Sequence, residues 1–488
     1  MKTTTSFEDF VSLGKQAPYV VLCQELEVEL TPIQAFQRME NLDPAAVLLE
    51  FSPREQPAYA FLGFHPLAEL IADGDSVRIR IDKEVEHYSG HPFQHLRLLQ
   101  QKLRCADHHP LTQLTGGAVG YIGYDAIRYL EAIPDRHHAK KNLAEIDLKF
   151  YQTGITFDSK NHKIVISRIV RVEQSNLLAC YENGMAVIQN VIERLLESKS
   201  ANINITPLNS NDDFKSDLDD EQFKIIVNKA KRHIMEGDAF QIVTSRTFKK
   251  HYNGKPFDIY HALKRMSPSP YHFYLKSGMA TIVGASPEKI VSVKNRLIEC
   301  VPLAGTRRRS PGESDATIAK NLVSNTKEMA EHTMLVDLAR NDIGKVSIPG
   351  SVTVTELMQP VSYSHVMHIS STIQGQLAEN CDAIDALLST FPAGTLSGAP
   401  KIRAMEIIDA IESSRRNLYG GAIVALDRDG NLDTCIIIRS AIVENNSVSI
   451  RAGAGIVHDS APQAEANETR YKAQSVMSAV RLAEGGLS

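Results

Sequence analysis

Carboxylates recur in this chain at one spacing, each time beside apolar residues. In "NTKEMAEHTMLVDLAR" Glu328 and Glu331 stand three apart, and Leu335 and Leu338 continue the same helical stripe. In "EANETRYK" Glu465 and Glu468 repeat the arrangement, with Lys472 and Val476 next on the face. Taken singly, each pair reads as the solvated edge of a helix, and Glu468 with Lys472 as an i,i+4 surface ion pair. Repetition on two helices alters the balance, because acids on an apolar stripe need a cation or a donor. Paired carboxylates together with substrate oxygens suit Mg²⁺, which takes few protein ligands and keeps several waters.

Other groups fit the same chemistry. Arg439 ends the β run "CIIIR", a lone charge among apolar residues, and Tyr419 opens the neighbouring strand. "RAGAGIV" offers Gly453, Ala454 and Gly455, where a ligand can approach the backbone closely. In "FPAGTLSGAPKIRAME" two glycines and a proline frame a polar turn carrying Thr395 and Ser397, just before an amphipathic helix. Such a junction can hold an anion on unpaired N–H groups, or it can be a plain N-cap by Ser397. A phosphate loop is excluded: Gly398 precedes Ala399 and Pro400, and no Ser or Thr follows Lys401. The site expected is therefore one for a small polyanionic acid bridged by Mg²⁺. His368 in "SYSHVMHIS" and Glu288 in "GASPE" are candidate acid–base groups, although a lone His is more often structural.

These residues need a scaffold. The chain has 488 residues, 43% hydrophobic and 23% charged, which is ordinary for a globular protein of two or three domains or one large one. A net charge of −5 argues against nucleic acid and acidic membranes as main partners. The N-terminus lacks an apolar signal segment and no run is long enough to span a bilayer. Six cysteines stand singly without a CxxC pair, so reduced structural thiols in a cytoplasmic protein are expected.

"AYAFLGFHPLAELI" and "DSVRIRI" alternate as strands, "KFYQTGITFDSKNHKIVISRIV" reads as a hairpin turning at Asp158–Asn161, and 176–198 reads as a helix. Residues 199–220 are polar, acidic and aperiodic, and predict a linker between regions 1–198 and 221–485, with one long surface loop as the alternative. Beyond it, a helix stops at Gly237 before a strand containing Gln241, residues 279–309 give three short strands, and 419–457 reads as one meander turning at Asp429-Gly430 and Asn445-Asn446. The last helix opens with a Ser460–Gln463 capping box. Long antiparallel runs with segregated helices predict an α+β fold.

In order, "GASPE", "PLAGTRRR", "EMAEHTMLVDLARND", "YSHVMHI", "FPAGTLSGAPKIRAMEIID", "YGGAI", "LDTC", "RAGAGIV" and "NETRYKA" closely resemble the chorismate-utilising enzymes, and among them the anthranilate synthase component I branch. The long motifs span 220–480; residues 1–198 resemble that subunit's N-terminal region more loosely. The resemblance implies two large facing antiparallel sheets flanked by helices. It implies Mg²⁺ on Glu331 and Glu468, supported by Glu328 and Glu465 and holding the ring carboxylate of chorismate. Tyr419, Arg439, the Gly453–Gly455 backbone and Lys472 would hold the enolpyruvyl carboxylate, and Gly305, Thr306 and Thr395 the ring end. Glu288 would help the 4-hydroxyl leave as ammonia adds, and His368 would serve the later loss of pyruvate.

Two positions sort the branches. Gln241 stands where isochorismate and salicylate synthases carry a Lys that activates water, and it cannot act as a base. Ala304 stands where aminodeoxychorismate synthases typically carry a nucleophilic Lys. Both fit an enzyme that uses ammonia, either making anthranilate or, as a 2-amino-2-deoxyisochorismate synthase, stopping before pyruvate is lost. No cysteine sits in a nucleophile elbow, so a separate glutamine amidotransferase subunit is implied, as a heterodimer or heterotetramer. The lack of Trp fits an enzyme needed when tryptophan is scarce. The family's tryptophan-inhibition motifs "LLES" and "NPSPYM" read here "LLEF" and "SPSPYH", so Phe51, Pro270, Tyr271 and His272 would line an altered inhibitor pocket, with Ser267 a further change.

Overall fold

The structure, a computed structural model, describes residues 4–40, 43–52, 58–107, 109–137, 143–159, 161–197, 213–309, 313–362 and 366–485. Two long strands organise it. Tyr59–Asp73 and Ile146–Asp158 pair antiparallel from Tyr59↔Asp158 to Ala72↔Ile146, with a register shift between Pro66 and Ala68. An irregularity of this kind bends a strand pair, and His65 beside it has φ 53°. On the two sides of the bend the strands take different neighbours. Tyr59–Asp73 pairs first with Val47–Phe51 and then with Ser76–Ile81. Ile146–Asp158 pairs first with Ala118–Ile122 and then with Lys163–Arg171.

Two antiparallel sheets diverge from this shared pair. One continues from Val47–Phe51 through Tyr271–Ser277, Ala280–Ser286, Ser440–Glu444 and Ser447–Ile456 to Gln241–His251. The other continues from Ala118–Ile122 through Ala422–Leu426, Leu432–Ile436, Lys289–Lys294 and Leu297–Cys300 to Val366–Gln376. Their inner faces meet in one core that joins Leu49, Phe273 and Ile282 of the first to Val119, Ile423 and Cys435 of the second. The outer face of the first is covered by helices Leu177–Leu196, Pro256–Met266 and Pro462–Gly485, and that of the second by Pro92–Lys102 and Ala383–Thr390. This is the α+β arrangement of two facing sheets flanked by helices that the sequence predicts.

Strands before 198 and after 220 pair directly in both sheets. The greater part of the predicted linker lies outside the described residues; Lys215–Ser216 already pairs with Phe248 and Lys249, and a helix starts at Asp220 behind an Asp219–Gln222 capping box.

The hairpin at Asp158 and the helix after it form as expected, over Lys163–Arg171 and Leu177–Leu196. Three expectations need correction. The 419–457 run is two hairpins in different sheets, because Leu432–Ile436 pairs with Lys289–Lys294 while Ser440–Glu444 pairs with Ala280–Ser286. Residues 279–309 make four strands rather than three. Ser460 accepts from the Val457 N–H and Gln463 bonds Asp220 and Asn467, so the last helix starts at Pro462 without the expected capping box.

Candidate active site

The chain passes between the sheets at two neighbouring points, and each carries one charged residue. Glu288 lies between Ala280–Ser286 in one sheet and Lys289–Lys294 in the other. Arg439 lies between Leu432–Ile436 and Ser440–Glu444, with φ 50°. The crossings are bonded to each other: the Ile436 N–H donates to the Glu288 carbonyl at 3.0 Å and the Ala285 N–H to the Arg439 carbonyl at 3.2 Å. An apolar β run hides this break, which is why Arg439 looks in sequence like the end of a strand.

Thr395, on the short helical turn Gly394–Ser397, donates to Glu288 Oε2 at 3.0 Å. A Cβ on Gly394 would lie 2.2 Å from Leu338 Cδ2, so the missing side chain lets the loop seat against the Thr326–Gly344 helix. The loop thus serves the site through a hydroxyl. Ser397 bonds the Ala393 carbonyl, and Lys401 is held by Asp342 and the Thr390 carbonyl. Burial pushes the Glu288 carboxyl above its ordinary value, against the Thr395 bond and the charges of Lys472 and Arg439. A cavity of about 60 Å³ opens beside it, walled by Leu335, Leu338, Asp342, Thr390 and Thr395.

His368 sits mid-strand in Val366–Gln376, its Nδ1 2.9 Å from the Gly305 carbonyl. A carbonyl only accepts, so Nδ1 carries the proton. A register shift in Leu303–Arg308 between Ala304 and Thr306 frees Gly305, which has φ 60°. A Cβ there would lie 3.0 Å from Glu328 Oε2, which places the first predicted carboxylate against the Gly305 backbone that His368 bonds. Burial lowers the His368 pKa, the Gly305 bond opposes it, and the Arg439 charge lowers it further. The side chain of Thr306 lies outside the described residues.

Arg439 is the electrostatic centre. Burial lowers its pKa against the opposing influence of Glu288, Tyr419 and Glu468. Its Nη1 donates to the Lys472 carbonyl at 2.9 Å, and Lys472 Nζ pairs with Glu468 Oε1 at 2.7 Å. Tyr419 is buried, its hydroxyl pushed up to about 12 by burial. A Cβ on Gly453 would meet that hydroxyl at 2.7 Å, and one on Gly455 would meet Gln241 Nε2 at 2.7 Å. The intervening Ala454 packs its methyl into the opposite core.

A network absent from the sequence reading positions these groups. Glu412 accepts from the Ser245 N–H and hydroxyl, and pairs with Arg416 and Arg451. Arg416 donates to the carbonyls of Leu396 and Val243 and lies over the Tyr124 and Tyr419 rings. It ties the loop, the Gln241 strand and Tyr419 together. The i,i+4 spacing of Glu412 and Arg416 was its only sequence signal.

The predicted carboxylates are chemically suited to a hard cation, but among the described residues no three of them bring ligand atoms within 4.8 Å of one another. Glu328, Glu331, Glu465 and Glu468 are all partly buried carboxylates, and among the described residues no side chain bonds the Glu328 carboxylate. Such oxygens suit Mg²⁺. The described His/Asp/Glu trio with ligand atoms within 4.8 Å lies elsewhere, at His233, Glu236 and Asp238, where Arg232 and Arg403 already engage the acids.

The residues named for an inhibitor pocket gather apart. Phe51 is fully buried, its ring 5.4 Å from Tyr59 and 5.0 Å from Tyr271. His272 donates from Nε2 to the Ser267 carbonyl at 3.1 Å, and burial pushes its pKa down to about 4. The Pro270 carbonyl accepts from the Ser52 N–H.

Known proteins share this architecture. The chorismate binding enzyme family matches residues 21–478. The chain belongs to that family. Anthranilate synthase component 1 of Acetivibrio thermocellus is 39% identical, with 93% of each chain covered. That of Aquifex aeolicus is 36% identical with 99% of each covered. Among solved structures, anthranilate synthase component I from Streptococcus pneumoniae matches with TM-score 0.75 and 34% identity over 87% of this chain and 93% of that one. The isochorismate synthase MenF of Escherichia coli, at 17% identity and TM-score 0.71 over 98% and 99%, shares the fold alone.

Proposed function

We propose that this chain is the large subunit of an anthranilate synthase, converting chorismate and ammonia to anthranilate, pyruvate and water. The observation that carries this reading is the pair of opposed acid–base groups about one arginine. Glu288 is held toward its protonated form and His368 toward its neutral form, both within electrostatic reach of Arg439. Environments that push two groups in opposite directions mark acid and base roles.

Arg439, Tyr419, Lys472 and the Gly453–Gly455 backbone would receive the enolpyruvyl carboxylate, and Gly305, Thr306 and Thr395 the ring end. Glu288 would give its proton to the departing 4-hydroxyl, which leaves as water while ammonia bonds to the ring. His368, basic at Nε2, would serve the loss of pyruvate. Glu331 and Glu468 would hold Mg²⁺, with Glu328 and Glu465 in support. When bound, the metal supplies positive charge for the ring carboxylate. Gln241 offers no base to activate water and Ala304 no nucleophile, which favours ammonia.

The relatives' designation as component 1 supports a partner component. We assign it as a glutamine-hydrolysing subunit that releases ammonia, in a cytoplasmic heterodimer or heterotetramer. The test is the isolated chain with chorismate, Mg²⁺ and ammonium, following anthranilate fluorescence and pyruvate together. Both products are expected. Chorismate consumed without either indicates arrest at the amino intermediate, and untouched chorismate overturns the reading.

A further inference from the structure

A buried polar contact interrupts the apolar interface between the Thr326–Gly344 helix and the Val366–Gln376 strand. Alternation puts Met367, Ile369, Ser371 and Ile373 on one face of that strand and His368 on the other. On the helix, Met329, His332, Val336 and Ile343 fall on one stripe. Met329 packs in a cluster with Met367 and Ile369, and Val336 and Ile343 belong to another with Ile373. Between the two clusters, His332 Nε2 lies 2.7 Å from Ser371 Oγ, and both residues are fully buried.

Ser371 is held from its other side as well. Its hydroxyl accepts from the Met358 N–H at 2.9 Å, where a register shift and a φ of 54° bend the Thr353–Ser362 strand. Its own N–H donates to the Pro302 carbonyl at 3.3 Å. The hydroxyl therefore has a fixed place, and the helix must bring His332 to it. His332 Nδ1 has no partner among the described residues, so Ser371 is the ring's one polar tie.

Apolar packing is non-directional and by itself tolerates sliding. One helical turn is about 5.4 Å and two strand residues about 6.6 Å, so a slip by one repeat would again set apolar side chains against apolar side chains. It would also set His332 against Ile369 or Ile373, with both ring nitrogens buried and unpaired, which is costly. The hydrogen bond thus selects one register. That register matters to the site because Glu328 and Glu331 ride on the helix and His368 on the strand. Glu328, one turn before His332, lies against the Gly305 backbone that His368 bonds.

We propose that His332 is a positioning residue: its bond to Ser371 fixes the glutamate-bearing helix against the strand that carries His368. This rests on the function proposed above. Fully buried, His332 acts through the groups that it aligns.

Three variants of the full chain separate alignment from space filling. His332→Phe keeps the shape of the ring without a hydrogen bond. His332→Gln places an amide N–H near Nε2, and His332→Asn places one near Nδ1. The measurements are melting temperature, ammonium-dependent anthranilate formation, and amide hydrogen exchange over 303–308 and 366–376. Alignment predicts at least a tenfold loss of kcat for Phe and Asn, since small misplacements of reacting groups are expensive, and recovery to within threefold for Gln. Exchange in both strands should be faster in Phe and Asn than in Gln. Phe should still melt at or above the temperature of Gln, so activity and stability rank these two in opposite orders. Activity that follows melting temperature, with Phe above Gln, overturns the proposal. So does exchange that is the same in all four chains. If the unaltered chain makes no anthranilate from ammonium, the functional reading fails, and hydrogen exchange still decides whether His332 sets the register.

Discussion

Thr395 donates its hydroxyl hydrogen to Glu288 Oε2 at 3.0 Å, joining the 391–406 loop to a crossing between the sheets 107 residues earlier. This bond stabilises the carboxylate form, while burial, the larger influence, disfavours it. As the acid for the leaving hydroxyl, Glu288 works protonated, so turnover should fall as pH rises through its elevated pKa. Thr395→Val removes the donor. The alkaline limb of kcat should then move to higher pH, with roughly tenfold lower turnover from lost alignment, the scale of one hydrogen bond between neutral groups. Glu288→Gln should lose on the order of 10²–10⁴ of kcat. An alkaline limb that stays in place in Thr395→Val would exclude this pairing in solution.

His368 should separate the two steps of the reaction. Burial holds its pKa below the ordinary 6.5 and the Gly305 carbonyl fixes the proton on Nδ1. The ring is therefore neutral at pH 7, and a rate that needs it neutral rises with pH through a value below 6.5. His368→Ala should still consume chorismate but release little anthranilate, so that the amino intermediate accumulates. Chromatography of the quenched reaction checks this; equal losses of chorismate consumption and anthranilate release would remove His368 from the second step.

Local sequence disclosed the chemistry of this site better than its geometry. Glutamates three apart and the turn around Thr395 were readable because helical and turn spacing is a local property. The crossings at Glu288 and Arg439 were not. Both lie in apolar strand-like runs, and only pairing partners more than a hundred residues away, such as Ser440–Glu444 with Ala280–Ser286, determine which sheet each run joins. The α+β architecture was legible from alternation, but the shared strands Tyr59–Asp73 and Ile146–Asp158 were not, since their bend depends on long-range register. The Glu412–Arg416–Arg451 network was missed because Arg451 comes from a distant strand.

The carboxylates should bind metal with substrate. Glu468 already pairs with Lys472, so metal binding competes with that ion pair. Glu468→Gln should weaken Mg²⁺ binding in the presence of chorismate by at least tenfold in calorimetric titration, and EDTA should abolish ammonium-dependent activity. Lys472→Met frees Glu468 and should leave metal affinity equal or greater while raising the KM for chorismate. Activity that survives exhaustive chelation would remove the metal from the mechanism.

Gly453 tests how closely the backbone must approach its neighbours. A methyl group there would lie 2.5 Å from the Thr244 carbonyl oxygen and 2.7 Å from the Tyr419 hydroxyl. The first contact does not relax cheaply, because it is backbone in a paired strand. Gly453→Ala should therefore cost about 1–3 kcal/mol of stability and raise KM through displacement of Tyr419. Gly455→Ala meets only the Gln241 side chain, which can rotate, and should cost less. Denaturant titration of the two variants gives the order; equal costs would mean that Thr244 gives way.

Tryptophan inhibition depends on whether the Phe51 region can admit an indole. Phe51 is fully buried, wedged edge-on between the Tyr59 and Tyr271 rings, and Glu50 beside it is engaged by Tyr260 and Lys264. Aromatic contacts of this kind contribute about 0.5–1.5 kcal/mol each beyond the area they bury, so displacing the ring for a ligand is unfavourable. Millimolar tryptophan should leave ammonium-dependent turnover and the melting temperature of the chain unchanged. Phe51→Ser removes the ring and should lower stability by about 3–5 kcal/mol, the range for truncating a buried Phe. If tryptophan then restores part of the lost melting temperature, the ring occupies the ligand's place; inhibition of the unaltered chain would show instead that the three rings part readily.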